Sequence, residues 1–319
     1  MPSSIVVVGS INLDLVCAGK RIPAPGETLK GDSFKTFHGG KGANQAVAVA
    51  RLGHPVNMIG KVGDDDFGDR LRRGLRDARV GVRNVSEAKG VSSGVALITV
   101  DSGGQNSITV VPGANDCLLP KDLEKCLPQL RSAGMILTQL EIPMETVDYL
   151  CAIACRFEIP VMLDPAPARP IPQKVLRNVA YLTPNETETC ALCNLAPDDL
   201  TPANVAPVAE TLLKSGPSNV IIKMGKRGAY IAAADGLRRM VPSFKVKAVD
   251  STAAGDAFNA GVAVGLVRGM SLADAVRYGA AVGALSATRA GAQPSMPSER
   301  EVARLVGTSK GKASQSRNS

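Results

Sequence analysis

The run Asp250-Ser251-Thr252-Ala253-Ala254-Gly255-Asp256-Ala257-Phe258-Asn259 puts a carboxylate at the end of a small-residue turn that runs into an apolar helix. Small residues let the backbone approach a ligand closely, and the first helical turn offers unpaired N–H groups and a positive dipole end to an anion. Asp256 does not suit a site built for an anion alone, because its charge repels a phosphate. It fits if it takes the proton of a hydroxyl at the moment of attack, which makes phosphoryl transfer to an alcohol the first chemistry to consider. The competing explanation is an N-terminal Asp favoured by the helix dipole.

Other polar residues recur at the ends of predicted elements. Asn12 and Asp14 follow the β-branched run Ile5 to Val8, and ligands of open α/β sheets sit at such strand ends. The loop Phe37-His38-Gly39-Gly40-Lys41-Gly42-Ala43-Asn44-Gln45 opens an Ala/Val helix through Leu52 and projects Lys41 and Asn44 from its start, where they can bond a polyhydroxylated ligand. It matches neither the dinucleotide fingerprint nor a P-loop, and a tight turn with solvated side chains is the plainer alternative. Glu141 and Asp164 end two further strands. Asn185 and Glu188, three apart, share a face of a helix start; they could hold a hydrated Mg²⁺ through water, or form a cap followed by an acid. Met224-Gly225-Lys226-Arg227-Gly228 could embrace a nucleotide or be a β-turn.

The elements that must position these groups fall into two patterns. From Leu118 onward strands alternate with helices, which implies a parallel sheet covered on both faces. Strands are expected at Val56 to Val62, Met135 to Leu140, Pro160 to Leu163, Tyr181 to Thr183 and Val220 to Lys223. Antiparallel β-structure is expected over Gly228 to Ala234 and Leu237 to Val249. Helices are expected up to Arg79 and at Glu145 to Arg156, Asp256 to Arg268, Leu272 to Thr288 and Glu299 to Val306. Glu27 to Phe37, Gly94 to Asp101 and Asn106 to Val111 read instead as a small sheet that could cover a site. Asp64, Asp65 and Asp66 lack the EF-hand pattern and fit a helix cap.

Composition narrows the class. A chain of 319 residues, 45% hydrophobic with 21% charged residues, can bury a large core. No apolar run approaches membrane-spanning length, and Met1 to Ser4 lacks the basic start of an export signal, so a cytoplasmic protein is expected. The net charge of +8 is scattered and aromatics total ten, six Phe and four Tyr, which favours small acidic ligands over nucleic acid. Seven cysteines point to reduced thiols, and Cys190 and Cys193 find no second pair to complete a zinc site. Thr308 to Ser319, rich in Ser, Lys and Arg, is expected to be disordered.

Together, Gly9-Ser10-Ile11-Asn12-Leu13-Asp14, Pro25-Gly26-Glu27-Thr28, the Gly39 to Gln45 loop, Gln139-Leu140-Glu141, Asp164-Pro165-Ala166-Pro167-Ala168, Thr183-Pro184-Asn185-Glu186-Thr187-Glu188 and Asp250 to Asp256 resemble the ribokinase branch of the PfkB carbohydrate kinases. The resemblance runs from about Ile5 to Ser298. It implies an α/β fold, a three-layer α/β/α sandwich with a mainly parallel central sheet and a small β-sheet lid. One kinase domain would cover residues 1–306, with a discontinuous lid from about 12–40 and 94–112 and a tail at 307–319. The implied reaction is ATP-dependent phosphorylation of D-ribose at O5, with Asp256 as general base and Ala254 and Gly255 supplying an anion hole.

By the same resemblance, Asn12, Leu13, Asp14, Gly40, Lys41, Gly42, Ala43, Asn44, Glu141 and Asp256 take the sugar-binding positions. Asn185, Lys223, Met224, Gly225, Lys226, Arg227, Gly228, Gly255, Asp256 and Ala280 take those that meet ATP. Asn185 and Glu188 match the residues that place Mg²⁺; Asp250, Thr252, Ser286, Arg289, Gly291 and Ser295 match those around a monovalent cation, usually K⁺. A homodimer through the lid is also implied. Three departures stand out: Ala253 replaces a common glycine and is tolerable at negative φ, Lys223 stands where Thr or Ser is common, and Ala280 stands where a polar ring or amide often faces adenine. A kinase for deoxyribose, ribulose or a nucleoside, and a sugar-binding protein without activity, are the rival readings.

Overall fold

Apolar parity along the first strand sets the architecture. In β1 (Ser4–Val8), Ile5 and Val7 enter one buried cluster and Val6 and Val8 another. Alternate residues of a strand face opposite sides, so this strand is covered on both faces. The computed structural model describes the backbone of residues 4–315 and side chains as far as Gly307. From β1 the chain runs through β2 (Asn12–Ala18), β3 (Ser33–Gly39), α1 (Lys41–Arg51), β4 (Val56–Gly63), α2 (Asp66–Asp77), β5 (Gly81–Ala88), β6 (Gly94–Val100) and β7 (Asn106–Val111). Next come α3 (Pro120–Glu124), α4 (Leu127–Arg131), β8 (Ala133–Thr138), α5 (Met144–Arg156), β9 (Val161–Leu163), α6 (Gln173–Leu176), β10 (Tyr181–Leu182), α7 (Glu186–Leu192), α8 (Val205–Lys214) and β11 (Asn219–Lys223). Last are β12 (Ala229–Ala233), β13 (Arg238–Val241), α9 (Ala254–Val267), α10 (Leu272–Ser286) and α11 (Glu299–Gln315).

The main sheet has nine strands in the order β13-β12-β11-β10-β9-β8-β1-β4-β5, parallel except at β12 and β13. Residues of α1, α2, α9 and α10 fill one face, and residues of α3 to α8 the other. α9 is buried from Asp256 to Gly265, as a helix apolar on all sides must be. Its glycines allow α10 to approach: a Cβ on Gly261 would lie 2.7 Å from Gly279 Cα.

The second sheet, β3-β2-β6-β7, stands apart from the first and leaves Phe34, Leu97, Ile108, Val110 and Val111 exposed. The short link Gly9-Ser10-Ile11 carries the chain from one sheet to the other. Asn12 and Asp14 therefore lie within β2 rather than at the end of β1, a correction to the sequence reading. β5 was not anticipated, because this edge strand has only Val85 and Ala88 buried and shows no clear alternation. The strand expected over Leu237 to Val249 ends at Val241, and the rest is irregular. The Asp65 cap is present, its carboxylate accepting from Gly68 N at 2.8 Å. The last helix continues to Gln315, into the stretch expected to be disordered, since each added residue of a formed helix gains a backbone bond. Residues 316–319 of that stretch lie outside the described residues.

Candidate active site

The carboxyl ends of β1, β8, β9 and β11 deliver Ser10, Glu141, Asp164 and Lys223 to one crevice, opposite the starts of α1 and α9. On one side of it α1 begins without a side-chain cap, after Gly40 at φ 85°. A Cβ on Gly40 would sit 2.7 Å from Asn12 N, and one on Gly42 2.8 Å from Gly9 C, so the loop fits against the β1–β2 link only with glycine. Ser10 Oγ donates to Glu141 Oε2 at 2.5 Å, and Lys41 N donates to the same oxygen at 3.2 Å. Asn115, from a 3-10 turn, donates through Nδ2 to Asn12 Oδ1 at 2.7 Å and accepts from Ile11 N at 2.9 Å. Asp14 faces Glu141 in this buried setting, and burial, then Glu141, push its carboxyl up to about 7.

Asp256 occupies the first turn of α9 and is 5% exposed. Asn44 Nδ2 donates to its Oδ2 at 3.0 Å and Gln45 Nε2 to its Oδ1 at 3.1 Å. Burial raises its pKa to about 6 and Asp164 adds to this, against the opposing pull of Lys41 and the two amides. Burial alone would lower Lys41, but Asp256, Asp164, Glu141 and Glu188 outweigh it and hold the ammonium charged above its ordinary range. Asn44 Oδ1 is a buried acceptor with no partner among the described residues. Such an atom is costly unless a ligand hydroxyl completes it.

On the other side a cavity of about 680 Å³ lies beside the α9 N-terminus. Of the ten residues matched to nucleotide positions, Lys223, Gly225, Lys226, Arg227, Gly228, Gly255 and Ala280 line it; Asn185, Met224 and Asp256 are absent from its wall. Met224 is 1% exposed and packs in the core. Phe244 and Phe258 also line the cavity, and Phe244 carries Arg277 5.2 Å above its ring. Aromatic platforms are thus present despite their scarcity in the chain. Arg227 pairs with Glu186, tying this loop to α7.

Asn185 and Glu188 form a reciprocal cap: Glu188 N donates to Asn185 Oδ1 at 2.8 Å, and Asn185 N to Glu188 Oε2 at 2.7 Å. The cap reading describes the backbone, yet burial raises the Glu188 pKa, with Lys223 opposing and Asp164 adding. Asn185 Nδ2 also donates to Glu188 Oε1 at 2.9 Å, and the lone pairs left on the carboxylate fit a hydrated Mg²⁺ held through water. The loops expected to hold a monovalent cation do meet: Asp250 Oδ2 accepts from Gly291 N at 2.8 Å and its Oδ1 from Thr252 N at 2.9 Å. Burial would raise Asp250, but these bonds lower it overall. Ser286 Oγ and Ser295 Oγ are buried 2.7 Å apart, and Arg289 N bonds Ser286 O at 3.2 Å. The Asp250 carboxylate and the Ser286 and Ser295 hydroxyls are oxygen ligands, the type a hard cation takes.

Two expectations at the turn change. Ala253 has φ 58°, not a negative value, so a Cβ sits in the left-handed region at the N-cap of α9. Ala254 N donates to Ser251 O at 3.1 Å, so of the expected pair it is Gly255 N that has no partner among the described residues. Asp164 stands at a strand end as expected from the sequence, while Gln45 and Gln139, known only as members of motifs, and Asn115, which no motif marks, brace the site with it. The signal available for Gln45, Gln139 and Asp164 was polarity at the ends of predicted strands or helices; Asn115, in a 3-10 turn between elements, carried none.

Comparison with known proteins bears on this arrangement. The pfkB family carbohydrate kinase pattern matches residues 2–299. The ribokinase of Schizosaccharomyces pombe is 42% identical over 309 residues, spanning 94% of this chain and 96% of the relative. The deoxyribokinase of Salmonella typhi is 37% identical over 295 residues, 92% of this chain and 95% of its own. The structure of Arabidopsis thaliana ribokinase complexed with ribose and ATP superposes with a TM-score of 0.90 at 32% identity, covering 96% of this chain and 99% of that one. Sequence and fold agree, and the chain belongs to the pfkB family of carbohydrate kinases.

Proposed function

We propose that the protein transfers the γ-phosphoryl group of ATP to O5 of D-ribose, giving D-ribose 5-phosphate and ADP. The observation that carries this reading is the place of Asp256: the first turn of α9 holds its carboxylate against the sugar-side amides, while the adjacent Ala254 and Gly255 of the same turn line the nucleotide cavity. O5 forms a bond to Pγ as the bond from Pγ to the β–γ bridging oxygen breaks and its electron pair leaves with ADP. The O5 proton passes to Asp256, which is ionised above about pH 6. Asn44 and Gln45 fix the plane of that carboxylate, Gly255 N offers its hydrogen to the transferring oxygens, and Lys41 lies over both charges.

Asn12, Asp14, Gly40, Lys41, Asn44 and Glu141 hold the sugar hydroxyls. Asn185 and Glu188 would hold Mg²⁺ through water, and the ion screens phosphate charge when bound. The Asp250, Thr252, Ser286, Arg289, Gly291 and Ser295 loops would hold K⁺, which shapes the α9 turn. The small sheet covers the sugar and excludes water. Its apolar exposed strands support a homodimer in the cytoplasm, since an uncovered apolar sheet face invites a second copy. A specific rival is deoxyribose, given the deoxyribokinase relative.

ATP consumption measured with ribose, deoxyribose, ribulose, adenosine and fructose 6-phosphate, with and without K⁺, tests the reading. Ribose is expected to give the highest kcat/KM, and loss of K⁺ to lower the rate. Absence of ribose-dependent turnover overturns the proposal, and a preference for deoxyribose replaces the substrate.

A further inference from the structure

We propose that Lys223, Asp164 and Gln45 form a relay that registers the phosphate against the base: Lys223 is the cation that meets the terminal phosphate of ATP, Asp164 holds it until nucleotide arrives, and Gln45 ties that carboxylate to Asp256. The inference rests on the kinase reading and deepens it.

The chain of contacts is continuous. Lys223 Nζ donates to Asp164 Oδ1 at 2.8 Å; Gln45 Nε2 donates to Asp164 Oδ2 at 3.2 Å and to Asp256 Oδ1 at 3.1 Å. Gln139 Nε2 donates to Gln45 Oε1 at 2.7 Å, which fixes the amide so that both of its hydrogens face carboxylates. Reversing the amide would turn an oxygen toward two anions. Gln45 and Gln139 are both about fully buried, at 1% and 0% exposure, so water does not replace these bonds.

Lys223 is placed for phosphate. Its side chain is 12% exposed and that exposed part lies on the wall of the nucleotide cavity, and Nζ is 3.5 Å from where a Gly255 Cβ would project. It therefore stands at the α9 N-terminus, where the dipole favours an anion and disfavours a resident cation. A buried ion pair here is a poor device for stability, because desolvating both charges offsets their attraction. It makes sense as a cation waiting for a third charge. The other cations of the cavity do not fill this place: Lys226, Arg227 and Lys245 are exposed to solvent, and Arg227 is held by Glu186. A flexible lysine stem lets Nζ pivot from carboxylate to phosphate while Asp164 keeps its bond to Gln45.

The test is equilibrium binding of Mg²⁺-ADP and of Mg²⁺ with a non-hydrolysable ATP analogue, together with steady-state kinetics, on the full chain. Lys223→Thr is expected to weaken the analogue about 10- to 100-fold while ADP and ribose affinities stay within about threefold. Asp164→Asn is expected to keep the preference for the analogue over ADP, because the cation remains, but to lower kcat about tenfold or more without raising the KM for ribose. Lys223→Met retains the aliphatic stem and serves if the Thr variant unfolds; thermal melts of each variant separate folding from function. Equal weakening of ADP and analogue, or unchanged analogue affinity, overturns the role of Lys223. Proportional loss of every affinity in Asp164→Asn reduces the pair to a structural one and overturns the relay. The nucleotide measurement needs no sugar turnover, so a wrong substrate assignment leaves it intact.

Discussion

The two halves of the crevice are built by opposite means. The sugar side is a buried lattice in which Ser10, Asn12, Asn44, Gln45, Asn115 and Asp256 are each at most 6% exposed and joined by side-chain bonds. The nucleotide side is walled by glycines, by the irregular segment from Pro242 to Ala248 and by cations on its rim. A site that must tell hydroxyls apart needs fixed donors and acceptors, since an unmatched buried partner is costly. A site that grips a polyphosphate can rely on backbone N–H groups and charge, which tolerate looser walls. Asp256 lies on the sugar side and is joined to the nucleotide side through its neighbour Gly255 in the first turn of α9.

The largest effect is expected at Asp256. Asp256→Asn removes the proton acceptor and keeps the shape, so kcat should fall at least about 100-fold with ribose affinity largely kept. Pre-steady-state and binding measurements on the variant check this, and near-normal turnover would break the assignment. Because Asn44 and Gln45 both donate to this carboxylate, the Asn amide must turn one NH₂ toward a donor. A modest loss of stability should accompany the loss of rate.

The second prediction concerns pH. Below about 6 Asp256 is protonated and cannot accept, so kcat/KM should fall tenfold per unit on the acid side. The charged groups about it are Lys41 on α1, Asp164 after β9 and Lys223 at the end of β11, with Glu141 after β8 and Glu188 on α7 around Lys41. Asp164 is among those that raise Asp256, so Asp164→Asn should move the acid limb to lower pH. An unmoved limb would mean that the nucleotide half does not reach the base.

What sequence made legible follows the same division. Of the buried sugar-side residues, Ser10, Asn12, Asn44 and Gln45 sit in short contiguous motifs, Gly9 to Asp14 and Gly39 to Gln45, at the β1–β2 link and a helix start, whereas Asn115 belongs to no such motif. The parallel core was legible from apolar runs such as Ile5 to Val8, whose neighbours belong to opposite clusters. β2 was not, because Asn12 and Asp14 break its alternation to serve the ligand. Residues 242–248 follow no period, since their role is to line a cavity, and Phe244 was invisible as a platform for that reason. Asp164 and Lys223 lie 59 positions apart, so their pairing is a product of β9 and β11 flanking β10, which no local pattern records.

A third prediction sharpens the sugar half. Unliganded Asp14 titrates near 7, above its unfolded value of 3.8, so its contribution to stability is present below about pH 4 and is lost as pH rises through about 7. Sugar hydroxyls donating to the carboxylate favour its ionised form. Ribose binding near pH 7 should therefore release up to about half a proton, seen by calorimetry in buffers of different ionisation enthalpy. Asp14→Asn should abolish that release, weaken ribose binding, and stabilise the unliganded protein above pH 7. Proton-neutral binding would show that Asp14 is ionised before the sugar arrives.

The smallest effect is expected at Ala253, the residue that turns the chain into α9 and so joins the two halves. At φ 58° its Cβ meets the preceding carbonyl, a strain of about 1 kcal/mol that glycine avoids. The greater freedom of glycine in the unfolded chain offsets part of the gain. Ala253→Gly should thus raise the unfolding temperature by about 1–2 °C. The left-handed conformation is held by its surroundings: Ala254 N bonds Ser251 O at 3.1 Å and Ala257 N bonds Ala253 O at 2.9 Å. Those bonds persist in the variant, so the Gly255 N–H keeps its aim and kcat should change by less than about threefold. A stabilised enzyme with a large drop in kcat would instead show that alanine restricts the turn for the sake of the reaction, and would move Ala253 from the scaffold to the machinery both halves share.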